Sequence, residues 1–334
     1  MSLNTYAKHF PPHAGAEEAE KLRSEIPDEL FERAEFNEQA GEKGGYSNYS
    51  YWGSTLRTFT KNKVAMFFLG LLILLLVFTF VQPLLPNQKN PTEIYKDPAT
   101  GRFYKNVAPC AEFWFGCNNI GQDIWSRLWS GTRTSLFIGV TVAFFEVVIG
   151  LVMGAIWGYV RRLDKLFTEI YNVLDNIPTT IIRMLITYMM RPSLFTVTFV
   201  MCITGWFGMA RFVRNQIVII RDREYNLASR CLGTGTGRVI TRNLMPYLVS
   251  VIMLRVALSI PSAIGTEVFL TYIGLGLPVS TPSLGNLINE GKAVMMSYPY
   301  QLIFPAVIVS LITISFYMIG NAFSDAADPK NHVE

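Results

Sequence analysis

The residues best suited to chemistry in this sequence are charged side chains inside long apolar stretches, namely Glu146, Asp175, Arg183, Arg255 and Glu267. Each costs about 2.5–3.5 kcal/mol at the centre of a bilayer, so such a residue normally faces a wet cavity or a charged partner. Asp175 lies near the end of its stretch and is expected at the membrane interface. The other four are candidates to line a path for a solute that carries both signs of charge. Pairing between helices, for example Glu146 with Arg255, is an equally open interpretation.

Residues for catalysis or metal binding are missing from the apolar stretches. All three histidines, His9, His13 and His332, lie near the termini, which leaves none for a proton relay or a metal site within those stretches. Residues 233–238 are glycine-rich but lack the Gly-Lys-Ser/Thr ending of a nucleotide-binding loop. We therefore expect a chain with no catalytic residue, no metal site and no cofactor of its own.

The composition places these charged residues in a membrane protein. Of 334 residues, 50% are hydrophobic and 16% are charged, and the mean hydropathy is +0.28, which argues against a disordered or an ordinary soluble chain. Six apolar windows are long enough, or nearly so, to cross about 30 Å of hydrocarbon at about 1.5 Å per residue. They are 64–81, 135–159, 166–190, 194–210, 248–273 and 302–320. The sequence thus predicts an all-α integral membrane protein with six transmembrane helices.

The distribution of positive charge predicts how these helices are oriented. Nineteen Lys and Arg residues lie in the segments that would share one side with both termini, against eight in the segments on the other side. Because cations concentrate in cytoplasmic loops, both termini of this multi-pass protein are expected in the cytoplasm. The formal net charge of +4 gives no support to nucleic-acid binding.

The segments outside the windows differ in character. The sequence predicts an acidic extension at 1–50, an interfacial helix at 51–63, an external loop at 82–131, a cytoplasmic connection at 211–243 and a cytoplasmic tail at 326–334. The external loop is long enough to predict a small ordered cap. Its Cys110 and Cys117 could form a disulfide or remain free thiols. Pro178 should bend the third predicted span.

The connection at 211–243 contains a motif that predicts a docking helix. It reads Tyr225-Asn226-Leu227-Ala228-Ser229-Arg230-Cys231-Leu232-Gly233, and Pro246 follows thirteen residues after the glycine. The small Ala228 and Ser229 permit a short helix to sit in a groove of a partner protein, and Gly233 can end that helix with a positive φ. This pattern resembles the cytoplasmic signature of permease subunits in binding-protein-dependent ABC importers, with Leu227 in the place of the usual Glu.

Three further segments are similar to the dipeptide and oligopeptide branch of this family. They are Phe115–Leu128, Glu267–Ile288 and Asp325–Pro329, and the matches follow one another in the family's order. In the first of them, Cys117 and Gln122 replace the more usual Thr and Arg. The chain resembles the second, or C-type, transmembrane subunit of a peptide importer from about Trp52 onward.

The resemblance implies a fold, a cargo and a set of partners. The fold would be that of an ABC importer type I permease over 64–325, and the cargo would be oligopeptides or dipeptides entering across a bacterial cell membrane. The partners would be a homologous permease that completes a heterodimer, two cytoplasmic ATPase subunits that hold ATP and Mg, and an extracytoplasmic peptide-binding lipoprotein. The residues that the resemblance assigns to ATPase coupling are Tyr225, Leu227, Ala228, Ser229, Arg230, Leu232, Gly233 and Pro246.

Two other functions share these sequence features. The matched motifs indicate coupling to an ATPase and do not indicate which solute is transported. A related importer of nickel or another small solute would therefore show them as well. A stand-alone secondary transporter or ion channel would also have six spans and buried charges, but it would need no ATPase.

Overall fold

The computed structural model describes residues 51–99 and 101–328, which form helices joined by short connections and one longer loop. The predicted acidic extension at 1–50 lies outside the described residues, as do residues 329–334 of the predicted tail. The main helices are α1 (Tyr51–Lys61), α2 (Lys63–Val81), α3 (Ile124–Tyr159), α4 (Arg161–Asp175), α5 (Thr179–Met190), α6 (Leu194–Ile220), α7 (Glu224–Cys231), α8 (Met245–Tyr272), α9 (Leu284–Ala293) and α10 (Tyr300–Ala327). A helical turn at Thr236–Arg238 and a π-helix at Val239–Leu244 join α7 to α8.

Several helices begin where a polar side chain caps the first turn. Asn62 Oδ1 accepts hydrogen bonds from the backbone N–H groups of Val64 and Ala65 at the start of α2, both at 3.1 Å. Asp123 caps α3 by accepting from Ser126 N at 2.9 Å. These caps satisfy backbone donors that have no partner within the helix. The cap at Asp123 starts α3 at Ile124, so the predicted external loop ends at residue 123 and not at 131.

Five helices among the described residues are long and apolar enough to cross a membrane: α2, α3, α6, α8 and α10. The third predicted span, 166–190, is instead two helices. Helix α4 ends at Asp175, and α5 begins after Pro178, which has no N–H to continue the helical hydrogen bonds. The sequence therefore predicted the break correctly, but it did not predict two separate helices.

The fourth predicted span is longer than expected. Helix α6 continues past Ala210 to Ile220, so the predicted connection at 211–243 begins only after this residue. The added turns are buried against α3, where glycines allow a close approach of the two backbones. A Cβ at Gly154 would meet the carbonyl oxygen of Ala210 and lie 2.8 Å from Val213 Cβ. Small residues at a helix crossing are a common basis of packing in membranes.

The remaining long helices pack around one apolar cluster. Leu75 of α2, Leu136 of α3, Ile264 of α8 and Ile312 of α10 belong to it. Helix α1 joins the bundle through Phe59, whose ring centroid lies 5.7 Å from that of Phe323 in α10. Helix α10 continues to Ala327, so the predicted tail starts after that residue and not at 326.

Residues 82–99 and 101–123 form an ordered cap over one end of the bundle. Tyr300 Oη donates to the Val107 carbonyl at 3.0 Å, and Gln301 Nε2 donates to Asn106 Oδ1 at 3.0 Å. The buried Arg127 pairs with Glu290 at 2.6 Å beneath it. The cap is thereby attached to the start of α10. Residues 221–243 lie at the opposite end of the bundle, which we call the arginine-rich end.

Cys110 and Cys117 are both free thiols in this cap. Cys110 is exposed and Cys117 is buried. Burial raises the pKa of the Cys117 thiol to about 12, because the thiolate would lose its hydration. Of the two interpretations that the sequence left open, the structure has the unpaired one.

The contact between α3 and α6 predicts opposite effects for two Gly-to-Ala changes. Gly154→Ala should lower the stability of the protein by about 1–3 kcal/mol, because a methyl group overfills the crossing. Gly70→Ala in α2 is the matched control, since no atom lies within 4 Å of its added Cβ. It should leave stability unchanged or raise it by up to about 1 kcal/mol through helix propensity. Thermal unfolding in detergent measures both, and a Gly154→Ala protein as stable as the unmodified chain would contradict the packing described.

Candidate functional site

A cavity of about 420 Å³ lies between the helices on one side of the bundle. Helices α3, α4, α5, α6 and α8 all contribute to its wall. The division of the third predicted span is essential to this geometry, because α4 and α5 approach the cavity as separate elements. Clefts between helices of this size are typical of binding sites for small molecules.

Four charged residues line this cavity, two of each sign. Glu146 comes from α3, Asp175 from α4, Arg183 from α5 and Arg255 from α8. Asp175 and Arg255 are exposed, so the cavity is open on one side of the chain. The structure therefore brings together three of the four residues that the sequence proposed for a translocation path, and it adds Asp175.

Arg183 is held by a hydrogen bond from its Nε to Thr204 Oγ1 at 2.8 Å. The threonine hydroxyl donates in turn to the Val200 carbonyl of its own helix at 2.8 Å. Thr204 was missed by sequence reasoning, because a lone threonine in an apolar helix gives no signal of a charged partner. The bond fixes Nε of the Arg183 guanidinium group and leaves the two terminal nitrogens free to face the cavity.

Glycines of α6 make room for the other charged groups. A Cβ at Gly205 would lie 3.8 Å from Glu146 Oε2, and one at Gly208 would lie 3.8 Å from Arg255 Nη2. Glu146 and Arg255 thus approach the same face of α6, but the described part of the chain contains no direct ion pair between them. The predicted ion pair between these two residues is absent from this structure.

Glu267 lies elsewhere, fully buried between α3, α8 and α9. Its carboxylate accepts hydrogen bonds from three hydroxyl groups: Ser283 at 2.8 Å, Ser135 at 3.1 Å and Thr271 at 3.2 Å. Ser135 also accepts from Leu284 N at 3.0 Å, so the cluster anchors the start of α9. In this structure Glu267 holds helices together and does not line the cavity.

The predicted docking motif forms a short helix on the surface of the arginine-rich end. Helix α7 spans Glu224–Cys231, and Gly233 follows with φ = +80°, a conformation that favours glycine. Tyr225, Leu227 and Leu232 are exposed by 45%, 43% and 86%. Ala228 and Arg230 are also exposed, and Pro246 lies in the first turn of α8. The helix therefore presents an apolar surface to the outside of the chain.

Two polar contacts hold α7 firmly against the bundle. Asn226 is fully buried, and its Nδ2 donates to the carbonyl of Ile220 at the end of α6, at 2.8 Å. One turn further along the same face, Ser229 Oγ accepts from Asn243 Nδ2 at 3.1 Å. Sequence reasoning did not single out Asn226, although it stands in the middle of the motif. A buried amide between exposed neighbours indicates an anchor, and α7 is expected to move together with α6.

The fold, the charged cavity and helix α7 together define a class of protein. A bundle of apolar helices with a charged, laterally open cavity and a short helix that exposes apolar side chains at one end is a multi-pass membrane protein suited to moving a polar solute. Residues 146–333 match the family described as "Binding-protein-dependent transport system inner membrane component", and residues 50–98 match the "N-terminal TM domain of oligopeptide transport permease C".

The chain belongs to this family of inner membrane components of binding-protein-dependent transport systems, which confirms the resemblance inferred from the motifs. It is 35% identical to the oligopeptide transport system permease protein AmiD of Streptococcus pneumoniae, over 92% of this chain and 99% of that one. It is 34% identical to the dipeptide transport system permease protein DppC of Bacillus subtilis, over 92% and 94% of the two chains. A solved structure of the MetNI methionine ABC transporter has a TM-score of 0.49 and 19% identity, over 59% of this chain and 96% of that one.

The contact between Arg183 and Thr204 predicts a difference between two Thr-to-Val changes in α6. Thr204→Val removes the acceptor of Arg183 Nε, and we expect it to lower stability by about 1–3 kcal/mol, as for a buried donor left without its partner. Thr198→Val is the matched control, because the Thr198 hydroxyl also donates to a carbonyl one turn earlier, at 2.8 Å, without serving the arginine. Thermal unfolding of both proteins measures the difference. Equal losses of stability in the two variants would show that the contact between Arg183 and Thr204 contributes nothing.

Proposed function

We propose that this chain is the permease subunit of an ABC importer that takes up oligopeptides or dipeptides. The observation that supports this cargo most directly is the cavity with two carboxylates and two guanidinium groups. A peptide carries an ammonium group at one end and a carboxylate at the other, so it needs both signs of charge in one site. Arg183 and Arg255 suit the carboxylate, because a guanidinium binds carboxylates through paired hydrogen bonds. The names of the relatives support the same cargo.

The open side of the cavity supports a second permease as partner. Charged groups at this depth cannot face lipid without a large cost in free energy. Helix α5 is 12 residues long, about 18 Å, and is too short to close the cavity across a bilayer. Its Leu185, Tyr188 and Met189 are exposed by 58%, 74% and 81%. A homologous permease packed on this side would cover these residues and complete the cavity.

Helix α7 is the proposed site for ATPase docking. In this proposal the arginine-rich end faces the cytoplasm of a bacterial cell, in agreement with the bias of positive charge. Two ATPase subunits, which hold ATP and Mg, dock on the exposed apolar surface of α7 and on the equivalent helix of the partner permease. The cap faces outward and meets an extracytoplasmic peptide-binding lipoprotein. The chain itself has a mechanical role and no catalytic one.

The cargo and the energy source are tested together in proteoliposomes. The complete transporter should take up labelled dipeptides or oligopeptides only when ATP and the binding protein are present. Arg183→Gln should reduce this uptake at low peptide concentration by at least about tenfold, which corresponds to the loss of one charge-assisted contact. Gradient-driven uptake by this chain alone, without ATP, would overturn the proposal, and ATP-dependent uptake of another small solute in place of peptides would overturn the cargo.

The docking role predicts a difference between two Gly-to-Val changes in the same connection. Gly233→Val should abolish co-purification of the ATPase subunits and leave membrane insertion intact, because a β-branched residue cannot adopt φ = +80° without strain. Gly237→Val is the matched control, since Gly237 has ordinary backbone angles and open space around its Cβ position. Its complex should form normally. Normal co-purification of the Gly233→Val protein would count against α7 as the docking helix.

A further inference from the structure

Asp164, in the first turn of α4, is the centre of an ion-pair cluster at the arginine-rich end. Arg214 of α6 donates to Asp164 Oδ1 from Nε at 2.9 Å and from Nη2 at 2.7 Å. Arg221 Nη1 lies 3.6 Å from Asp164 Oδ2 and donates to the Gly158 carbonyl of α3 at 2.6 Å. The three charged side chains are only 16%, 25% and 13% exposed, in the order Asp164, Arg214, Arg221. One carboxylate therefore ties together α3, α4 and α6.

Helix α4 is also held by contacts at its surface: the ring centroids of Phe167 and Tyr171 lie 6.1 and 5.7 Å from that of Trp157 in α3, and Arg161 pairs with Asp222 at 2.8 Å. No residue of α4 is buried, and its apolar residues Leu166, Ile170 and Val173 are exposed by 56%, 43% and 65%. At its far end, Asp175 pairs with Arg211 at 3.1 Å, but both side chains are about half exposed. Exposed pairs of this kind are screened by water and contribute little to stability. Among the ion pairs of α4 in the described chain, those of Asp164 are the least exposed, so Asp164 is its strongest charged link to α6.

The cluster lies between the docking helix and the cavity. Arg221 directly follows α6, three residues before α7 begins, and Asn226 of α7 is bonded to the adjacent Ile220. From α4 the chain passes through Pro178 into α5, which carries Arg183 into the cavity. Arg221 and Arg214 therefore form a continuous path of contacts from the end of α6, beside α7, to α4, and only three residues separate α4 from α5.

We propose that Asp164 is a positioning residue that transmits the movement of docking helix α7, through Arg221 and Arg214, to α4, α5 and the charged cavity. This inference rests on the proposed docking of an ATPase on α7. Removing one partner of a largely buried ion pair leaves the other charges uncompensated, so the link is sensitive to a single change. Without it, α7 and α6 can still respond to the ATPase, but α4 and α5 follow less closely, because only the Trp157 contacts and exposed ion pairs remain.

The test is the ratio of ATP hydrolysis to peptide uptake in the assembled transporter. For Asp164→Asn in proteoliposomes, we expect hydrolysis within twofold of the unmodified complex and uptake lowered at least tenfold. Glu169→Gln is the matched control, because it makes the same chemical change on the same helix at an exposed residue for which the described chain offers no ion pair. Arg214→Gln, which removes the partner of Asp164 on α6, should likewise lower uptake and leave hydrolysis nearly unchanged. Unchanged uptake in Asp164→Asn, or an equal fall of uptake and hydrolysis, would overturn the assignment.

A second measurement separates this inference from the proposed function. In the purified chain, amide hydrogen exchange over residues 161–175 should be at least tenfold faster in Asp164→Asn than in Glu169→Gln or the unmodified protein. The double change Asp164→Asn with Arg214→Gln should add little, because the two residues form one unit. Unchanged exchange in Asp164→Asn would overturn the link whatever the cargo. Failure of the unmodified transporter to import peptides would refute the cargo and leave the exchange result standing.

Discussion

The free-energy cost of charge in apolar surroundings governs this structure. Where the chain satisfies a buried charge internally, that charge holds helices together: Glu267 accepts from three hydroxyl groups, and Arg127, only 1% exposed, pairs with Glu290. Around the cavity the situation differs, because Glu146 and Arg255 have no direct ion pair with each other in this structure. The same principle therefore distinguishes charges that are satisfied within the fold from charges that line an open cavity.

Close packing of α6 against α3 gives the molecule its rigid part. Gly154 and Gly158 of α3 leave no room for a side chain against α6, so the two helices are in backbone contact over several turns. At 27 residues, α6 is about 40 Å long. It bears Thr204 in the cavity wall and ends beside the docking helix, to which Asn226 fastens it. A single helix thus connects the two sites.

Helix α4 is attached to the bundle more by charge than by buried apolar packing. None of its residues is fully buried, Asp164 ties it to α6, and Phe167 and Tyr171 contact Trp157 of α3, whereas α7 is fixed by a buried asparagine amide. An ion pair can be exchanged for another partner or for water more readily than an interlocked apolar contact can be taken apart. This difference suits a permease, in which some helices must move past others while the bundle stays assembled.

The sequence by itself determined the membrane class, the family and the local breaks. Composition and apolar windows predicted the helices, Pro178 predicted the break between α4 and α5, and the motif before Gly233 predicted the short surface helix. The pattern in 211–220 did not show that α6 continues, because an apolar spacing of three to four residues fits both a surface helix and a buried one.

Only the tertiary structure decided which charges share a cavity. Sequence analysis placed Glu146 and Glu267 in the same list of candidates, yet one lines the cavity and the other anchors α9. It also gave no partner for Asp164. The physical reason is that sequence sets the period of each helix, whereas the contacts of a side chain depend on how neighbouring helices rotate and how closely they approach. That approach is set here by glycines and buried polar groups far apart in the chain.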